Sequence, residues 1–260
     1  MGKSICVTNQ KGGVGKTTTV INLGTSLAYS QKKTLIIDMD PQANATSGLG
    51  LNKEEIKNSI YNVLIGESNI EGTILKIYPA ELNNCLYICP SSVDLTGAEI
   101  ELINTIDREW VLKKSIESIM HDFDYIIIDC PPSLNLLTVN ALTASDSVII
   151  PVQCEYYALE GLSQLNRTIN LIKTRLNAQI LIEGYLLTLF DTRNRLSHLI
   201  VDEVKSYFNS LVFETIIPRN VKLAECPSHG KPILLYDSGS SGSASYVSLA
   251  NEMINRNTGV

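Results

Sequence analysis

The chain has 260 residues, 44% of them hydrophobic and 18% charged, with a formal net charge of −6. That length predicts one large α/β domain rather than two domains and a linker, and the apolar share excludes a largely disordered chain. The acidic balance argues against a generally basic nucleic-acid binder, and no apolar run approaches the ~20 residues of a membrane-spanning helix.

The opening residues carry no signal-peptide layout, because Ser4–Thr8 already reads as a buried strand. Lys16–Ser30 reads as a helix and Thr34–Asp38 as a second strand. A polar, helical stretch leads to a strand at Leu86–Cys89, a helix around Arg108–His121 and a strand at Tyr125–Asp129. Asn135–Ala144 and Ser147–Val152 form a helix–strand pair, Leu159–Leu176 is helical, Ile180–Leu189 is a strand and Leu196–Phe208 a helix. Val212–Ile216 closes the run of strands, the Ser/Gly-rich piece Ser238–Ser245 reads as a loop, and Ala244–Asn255 is the last helix. Continuous apolar strands between amphipathic helices are strands buried on both faces. The expectation is α/β: a single domain over residues 1–260, with a mostly parallel twisted sheet, helices on both faces and ligands at the carboxyl ends of strands. Six cysteines, at 6, 85, 89, 130, 154 and 226, lack the spacing of a zinc set and read as reduced, packed thiols of a cytoplasmic protein.

Between the first strand and the first helix lies Lys11-Gly12-Gly13-Val14-Gly15-Lys16-Thr17-Thr18. A phosphate chain must come close to backbone N–H groups, and glycines at 12, 13 and 15 leave that approach free. The helix start adds its positive end, Lys16 supplies charge to the β- and γ-phosphates, and Thr17 offers a hydroxyl to Mg²⁺. Gln10 stands where the common P-loop has its first glycine, and a second lysine, Lys11, opens the loop instead. The fold expected is therefore a P-loop NTPase binding ATP with Mg²⁺.

Two strands end in acids. Asp38-Met39-Asp40-Pro41-Gln42 follows the second strand, where one carboxylate serves the metal's water shell and the other orients an attacking water. Tyr125-Ile126-Ile127-Ile128-Asp129 reads as a Walker B strand whose Asp129 reaches Mg²⁺, and Pro131-Pro132 makes a stiff loop suited to sensing the γ-phosphate. Charge is unevenly spread: 11 basic and 18 acidic residues lie up to Leu159, against 10 and 9 after it, so a local basic face in the C-terminal part is compatible with the acidic total.

These motifs resemble the deviant Walker A ATPases, and more narrowly the ParA/Soj chromosome and plasmid partitioning ATPases. The resemblance runs nearly end to end, through Asn44-Ala45-Thr46-Ser47-Gly48-Leu49-Gly50, Ala98-Glu99-Ile100-Glu101-Leu102, Pro151–Gly161, Leu187–Arg193, Ile217-Pro218-Arg219-Asn220 and Ala224–Gly230. It implies a slow ATPase that dimerises on ATP, with Lys11 reaching the partner's phosphates, Lys16 and Asp40 acting in hydrolysis and Thr17, Asp38 and Asp129 serving the metal. It further implies ATP contacts from Lys11 to Thr18, Val14 included, from Glu155 at the dimer seam and from Pro218, Arg219 and Asn220 near the adenine. Relatives of this kind bind DNA without sequence preference and work with a ParB-like centromere-binding partner on the nucleoid. Arg193, Lys222 and Arg219 match that DNA face, with Arg195 and Lys231 as further candidates. The loop Tyr236–Gly242 departs from the pattern, having no basic residue.

Three other readings share the ATP site. A membrane-cycling ATPase of the MinD type needs a basic amphipathic tail, whereas the segment Ser245–Arg256 has one arginine and reads as a packing helix, so no membrane anchor is expected. An iron–sulfur reductase needs cluster cysteines at a seam, and Cys130 and Cys154 lack that context. A non-hydrolysing, ATP-dependent DNA-binding regulator would lack the hydrolytic residues, yet Lys16, Thr17 and Asp40 are all present.

Overall fold

The computed structural model describes residues 2–77, 82–83, 85–155 and 158–258, so Tyr156 and Tyr157 of the family motif lie outside the described residues. Seven strands form one sheet: β1 (Lys3–Val7), β2 (Thr34–Asp38), β3 (Leu75–Lys76), β4 (Leu86–Cys89), β5 (Tyr125–Asp129), β6 (Ser147–Gln153) and β7 (Leu181–Thr188). Their order is β3-β4-β2-β5-β1-β6-β7, parallel except for the short edge strand β3, which runs antiparallel to β4. All five residues of β2 and of β5 are buried, as expected of central strands covered on both faces.

Alternate residues of these strands feed two cores. Leu35, Ile37, Ile126 and Ile128 face α3 (Ile60–Leu64), α4 (Leu95–Glu101), α5 (Val111–Ile116), α6 (Leu136–Ala144), α7 (Ala158–Arg175) and α8 (Arg195–Phe208). Ile36 and Ile127 face α1 (Lys16–Tyr29), α2 (Asn44–Gly48), α9 (Val221–Glu225), α10 (Ile233–Tyr236) and α11 (Ser241–Thr258). No helix among the described residues is long and apolar enough to cross a membrane.

Three expectations change. Val212–Ile216 is not a strand; it meets β7 through an isolated bridge of Val212 with Tyr185 and through the Phe213 N–H on Tyr185 O at 3.0 Å. The carboxylate of Glu252 takes the Glu214 and Thr215 N–H groups, at 2.8 and 2.9 Å, so these donors never join a ladder. The Phe213 ring meanwhile fills the place where a Cβ on Gly184 would sit, 2.6 Å from the nearest ring carbon. Ser241–Ser245 is the first turn of α11 rather than loop, because Ser240 Oγ accepts the Ser243 N–H. The helix expected over Arg108–His121 is a short 3-10 turn at Arg108–Trp110 followed by α5 alone.

Register then sets the site. Asp129 at the end of β5 lies opposite Val7 of β1 on one side and Asp38 of β2 on the other. The glycine loop and both acidic turns therefore leave the sheet side by side at its carboxyl edge.

Candidate functional site

The loop joining β1 to α1 is tethered at its start by Asn9, whose amide donates to Pro151 O at 2.8 Å and whose carbonyl accepts the Lys11 N–H at 3.0 Å. It is tethered in its middle by Thr188, whose hydroxyl donates to Val14 O at 2.9 Å. Gly13 and Gly15 take φ of 74° and 87°, the left-handed region that favours glycine. A Cβ built on Gly12, Gly13 or Gly15 meets no atom within 4 Å, so the loop borders open space instead of packed protein. α1 begins at Lys16 with no side-chain cap and no acid in its first turn, which leaves first-turn N–H donors for an anion.

The two lysines differ. Lys16 is buried, and its ammonium donates to Lys11 O at 3.1 Å. Burial pulls its pKa down, against the opposing pull of Asp129, Cys130 and Asp40. Lys11 is half-exposed and pairs with Glu155 at 3.2 Å, and Gln153 steadies that carboxylate through its other oxygen.

The three carboxylates are equally distinct. Asp38 is fully satisfied: Oδ2 accepts the Thr46 N–H and hydroxyl at 2.8 and 2.7 Å, and Oδ1 accepts the Asp40 N–H at 3.2 Å. Burial still pushes its pKa up to about 6, with the Thr46 bonds working the other way. Asp40 is held from behind, because Ser91 Oγ donates to its carbonyl at 2.8 Å while the Ser91 N–H donates to Thr46 Oγ1 at 3.0 Å. Asp129 is different. It is completely buried and neither carboxylate oxygen has a hydrogen-bond partner. Burial first, and then the neighbouring Asp38 charge, raise its pKa well above the ordinary carboxylate range. The Thr17 hydroxyl lies close enough to favour the charged form but outside hydrogen-bonding geometry.

A buried carboxylate without donors is costly unless a cation completes it. Asp129 together with the Thr17 hydroxyl therefore fits a hard divalent cation. Among the described residues no cluster of three or more His, Cys, Asp or Glu side chains is placed to hold a metal alone. That suits Mg²⁺, which takes one or two protein oxygens and fills its shell with water and phosphate.

A cavity of about 430 Å³ opens from this centre. Gly12, Gly13, Gly15, Lys16, Thr17, Thr18, Asp40 and Pro132 line it, together with Thr188, Ile217, Pro218, Asn220, Leu223 and Tyr246. Of the expected adenine residues, Pro218 and Asn220 face the cavity; Arg219 is exposed, with its N–H on Phe190 O at 2.8 Å. Lys11, Val14 and Glu155 do not line it. Asn9, Ser91 and Tyr246 were not singled out as site residues in the sequence, and Thr46 and Thr188 carried a signal only as parts of the family motifs.

Two of the basic residues expected on a DNA face, Arg193 and Lys222, are tied within the chain. Arg193 forks onto Asp191, at 3.1 Å from Nε and 3.0 Å from Nη2, and this pulls the Asp191 pKa down to about 2. Lys222 pairs with Glu225 at 3.0 Å.

A family model described as an AAA domain matches residues 2–182. The chain is similar to the sporulation initiation inhibitor protein Soj of Bacillus subtilis, with 54% identity over 97% of this chain and 98% of that protein. It is similar to the chromosome partitioning protein ParA of Myxococcus xanthus, with 54% identity over 99% of this chain and 90% of that protein. Among solved structures, a cobyrinic acid a,c-diamide synthase from Mycobacterium smegmatis with bound ADP and magnesium superposes with a TM-score of 0.86 at 32% identity, over 99% of this chain and 96% of that one.

Proposed function

Because the chain belongs to the Soj/ParA family of chromosome-partitioning ATPases and is an ATPase that uses ATP with Mg²⁺, we propose that it is a nucleotide-gated dimer. In this reading residues 1–260 form one ATPase domain. The amides of Gly12 to Gly15, Val14 included, and the first turn of α1 through Thr18 bind the phosphate chain, and Lys16 neutralises it. Thr17 and Asp129 hold the cation, while Asp38 serves it indirectly by fixing the Asp40 turn through Thr46. Held by Thr17 and Asp129, Mg²⁺ would supply positive charge against the phosphate chain. Asp40 orients the attacking water, and Pro218, Arg219 and Asn220 border the base.

Lys11 gives the gate. In a single chain it rests on Glu155, in an exposed pair worth about 0–1 kcal/mol. A triphosphate in a facing subunit offers more charge than one carboxylate, so Lys11 moves to it and leaves Glu155 at the seam beside nucleotide. Cleavage removes that charge and the subunits part. The ATP dimer binds DNA without sequence preference through Arg193, Lys222 and Arg219, on the nucleoid, and a ParB-like centromere-binding protein stimulates turnover. No membrane anchor is assigned to α11, whose Tyr246, Leu249, Ala250 and Met253 are spent on the core.

The observation that carries this reading is Asp129, buried beside Lys16 with both oxygens unpartnered. Calorimetry of ATP binding with and without Mg²⁺ tests it, together with mass measurement by light scattering. Wild type should bind only with Mg²⁺; Asp40→Ala should bind, fail to hydrolyse and accumulate a two-subunit particle; Lys11→Ala should bind and stay single. Magnesium-independent binding, or an Asp40→Ala chain that never pairs, would sink it.

A further inference from the structure

Most exposed apolar side chains on a protein surface are scattered singly, but here Val93, Ile100, Ile103 and Ile106 fall in one short stretch, with 74, 72, 54 and 88% of their surface open. They belong to α4 and the turns on either side of it. A groove of about 610 Å³ runs between this stretch, α3 and α5, with Val63, Ile65, Leu102 and Val111 among its apolar lining and Ile106 at its lip. The nucleotide cavity shares none of these residues.

Two carboxylates at the groove have no cationic partner among the described residues. Glu101 lines it and accepts the neutral Tyr61 hydroxyl, at 2.9 Å. Glu67, next to the lining residue Gly66, accepts the neutral Asn62 amide, at 3.0 Å. The lining cation, Lys114, is already neutralised by Asp107 at 3.0 Å. Helices and turns wall the groove, so no open strand edge is available for an extended peptide, and ridge-in-groove packing of a helix is the mode that fits. Symmetrical pairing with a second copy would bring like-charged edges together, and nucleic acid or an anionic membrane would meet the same repulsion.

We propose that the α3–α4–α5 groove is a docking site for a basic amphipathic helix of another protein, its apolar side on Ile103 and Ile106 and its cations against Glu67 and Glu101. This surface lies outside the nucleotide site and does not depend on the roles given to that site.

The test uses the full chain and a labelled synthetic helix of about 16 residues, with leucine at every third or fourth position and lysine elsewhere, read by fluorescence anisotropy. A scrambled peptide of the same composition is the control. The patterned peptide should bind. Ile103→Ser with Ile106→Ser should weaken it roughly tenfold. Glu67→Gln with Glu101→Gln should weaken it and flatten its salt dependence. All four positions are exposed, so unfolding curves should match wild type. Equal binding of the scrambled peptide, or indifference to the isoleucine pair, overturns the proposal. So does a nucleotide-free wild type that self-associates through the same isoleucines, since the occupant is then a second copy.

Discussion

Asp129 carries a cost in the empty chain that only a ligand removes. Its two oxygens are fully buried with no donor, in contrast to Asp38 one strand away, which accepts three hydrogen bonds. Replacing one charged, unsatisfied group by a neutral one of the same shape should therefore stabilise the protein while destroying its use. Asp129→Asn is expected to raise the unfolding free energy of the nucleotide-free chain by about 1–3 kcal/mol in urea titrations and to abolish magnesium-dependent ATP binding. The pH dependence follows from the direction of the shifts. A carboxyl whose folded pKa is raised binds its proton more tightly folded than unfolded, so wild type loses stability as pH climbs from the unfolded value toward the folded one. For Asp38 that window runs from 3.8 to about 6, and Asp129 extends it upward. The gain from Asp129→Asn should accordingly be larger at pH 8 than at pH 5. A variant no more stable than wild type at pH 8 would mean that the orphaned carboxylate is not a burden.

At the scale of elements, the Asp40 turn is clamped from a different strand. Ser91, just after β4, donates to the Asp40 carbonyl, and Thr46, in α2, joins Ser91 to Asp38. Ser91→Ala removes the direct tie to Asp40 and leaves the glycine loop intact. It should cost about 1 kcal/mol of stability. Phosphate release should fall severalfold while ATP affinity stays unchanged, because the turn that aims the water is loosened. A second joint lies where the end of α2 crosses the segment before α10. Gly230 has φ of 60°, and a Cβ there would stand 2.7 Å from Gly50 Cα, so Gly230→Ala should lose about 1–3 kcal/mol by thermal melting. These joints mark where sequence reading stopped. The glycine loop and the acids at 38, 40 and 129 were legible because strand, loop and helix start are contiguous, and their spacing carries the chemistry. Ser91 and Asp40 are 51 positions apart, and nothing local announces their contact. The misread strand at 212–216 has the same cause in reverse. Its apolar-polar pattern suits an edge strand, but Glu252, 38 positions away from Glu214, claims the N–H groups that the ladder needed. Ser241–Ser245 read as loop on composition, although a serine cap was enough to start the helix one turn early.

For the molecule as a whole, the proposed DNA binding has to be reconciled with an acidic chain. The net charge is −6, and both leading basic candidates are already paired, Arg193 with Asp191 and Lys222 with Glu225. On the proposed DNA face, a phosphate contact by Arg193 or Lys222 would have to displace an internal carboxylate, which would weaken binding and favour two subunits presenting their cations together. The Asp191 pKa near 2 means that the pair stays ionic throughout the physiological range, so protonation cannot release Arg193 there and DNA retention should be flat between pH 6 and 8. Removing the competitor should do what pH cannot. Asp191→Asn frees Arg193 for phosphate, so it should tighten DNA binding by the ATP-bound, hydrolysis-deficient Asp40→Ala chain and steepen the salt dependence by about one contact per subunit, a log–log slope change near −0.9 for each. Folding should be unaffected, since exposed pairs contribute little. Glu117→Gln makes the same change in net charge at an exposed position after α5 and serves as the control. If both variants tighten binding equally, only the total charge matters and Arg193 has no special place on the DNA face. If Asp191→Asn alone does so, and Arg193→Glu with Lys222→Glu loses the DNA while keeping ATP turnover, then the internal pairs set the threshold that makes DNA binding a property of the dimer.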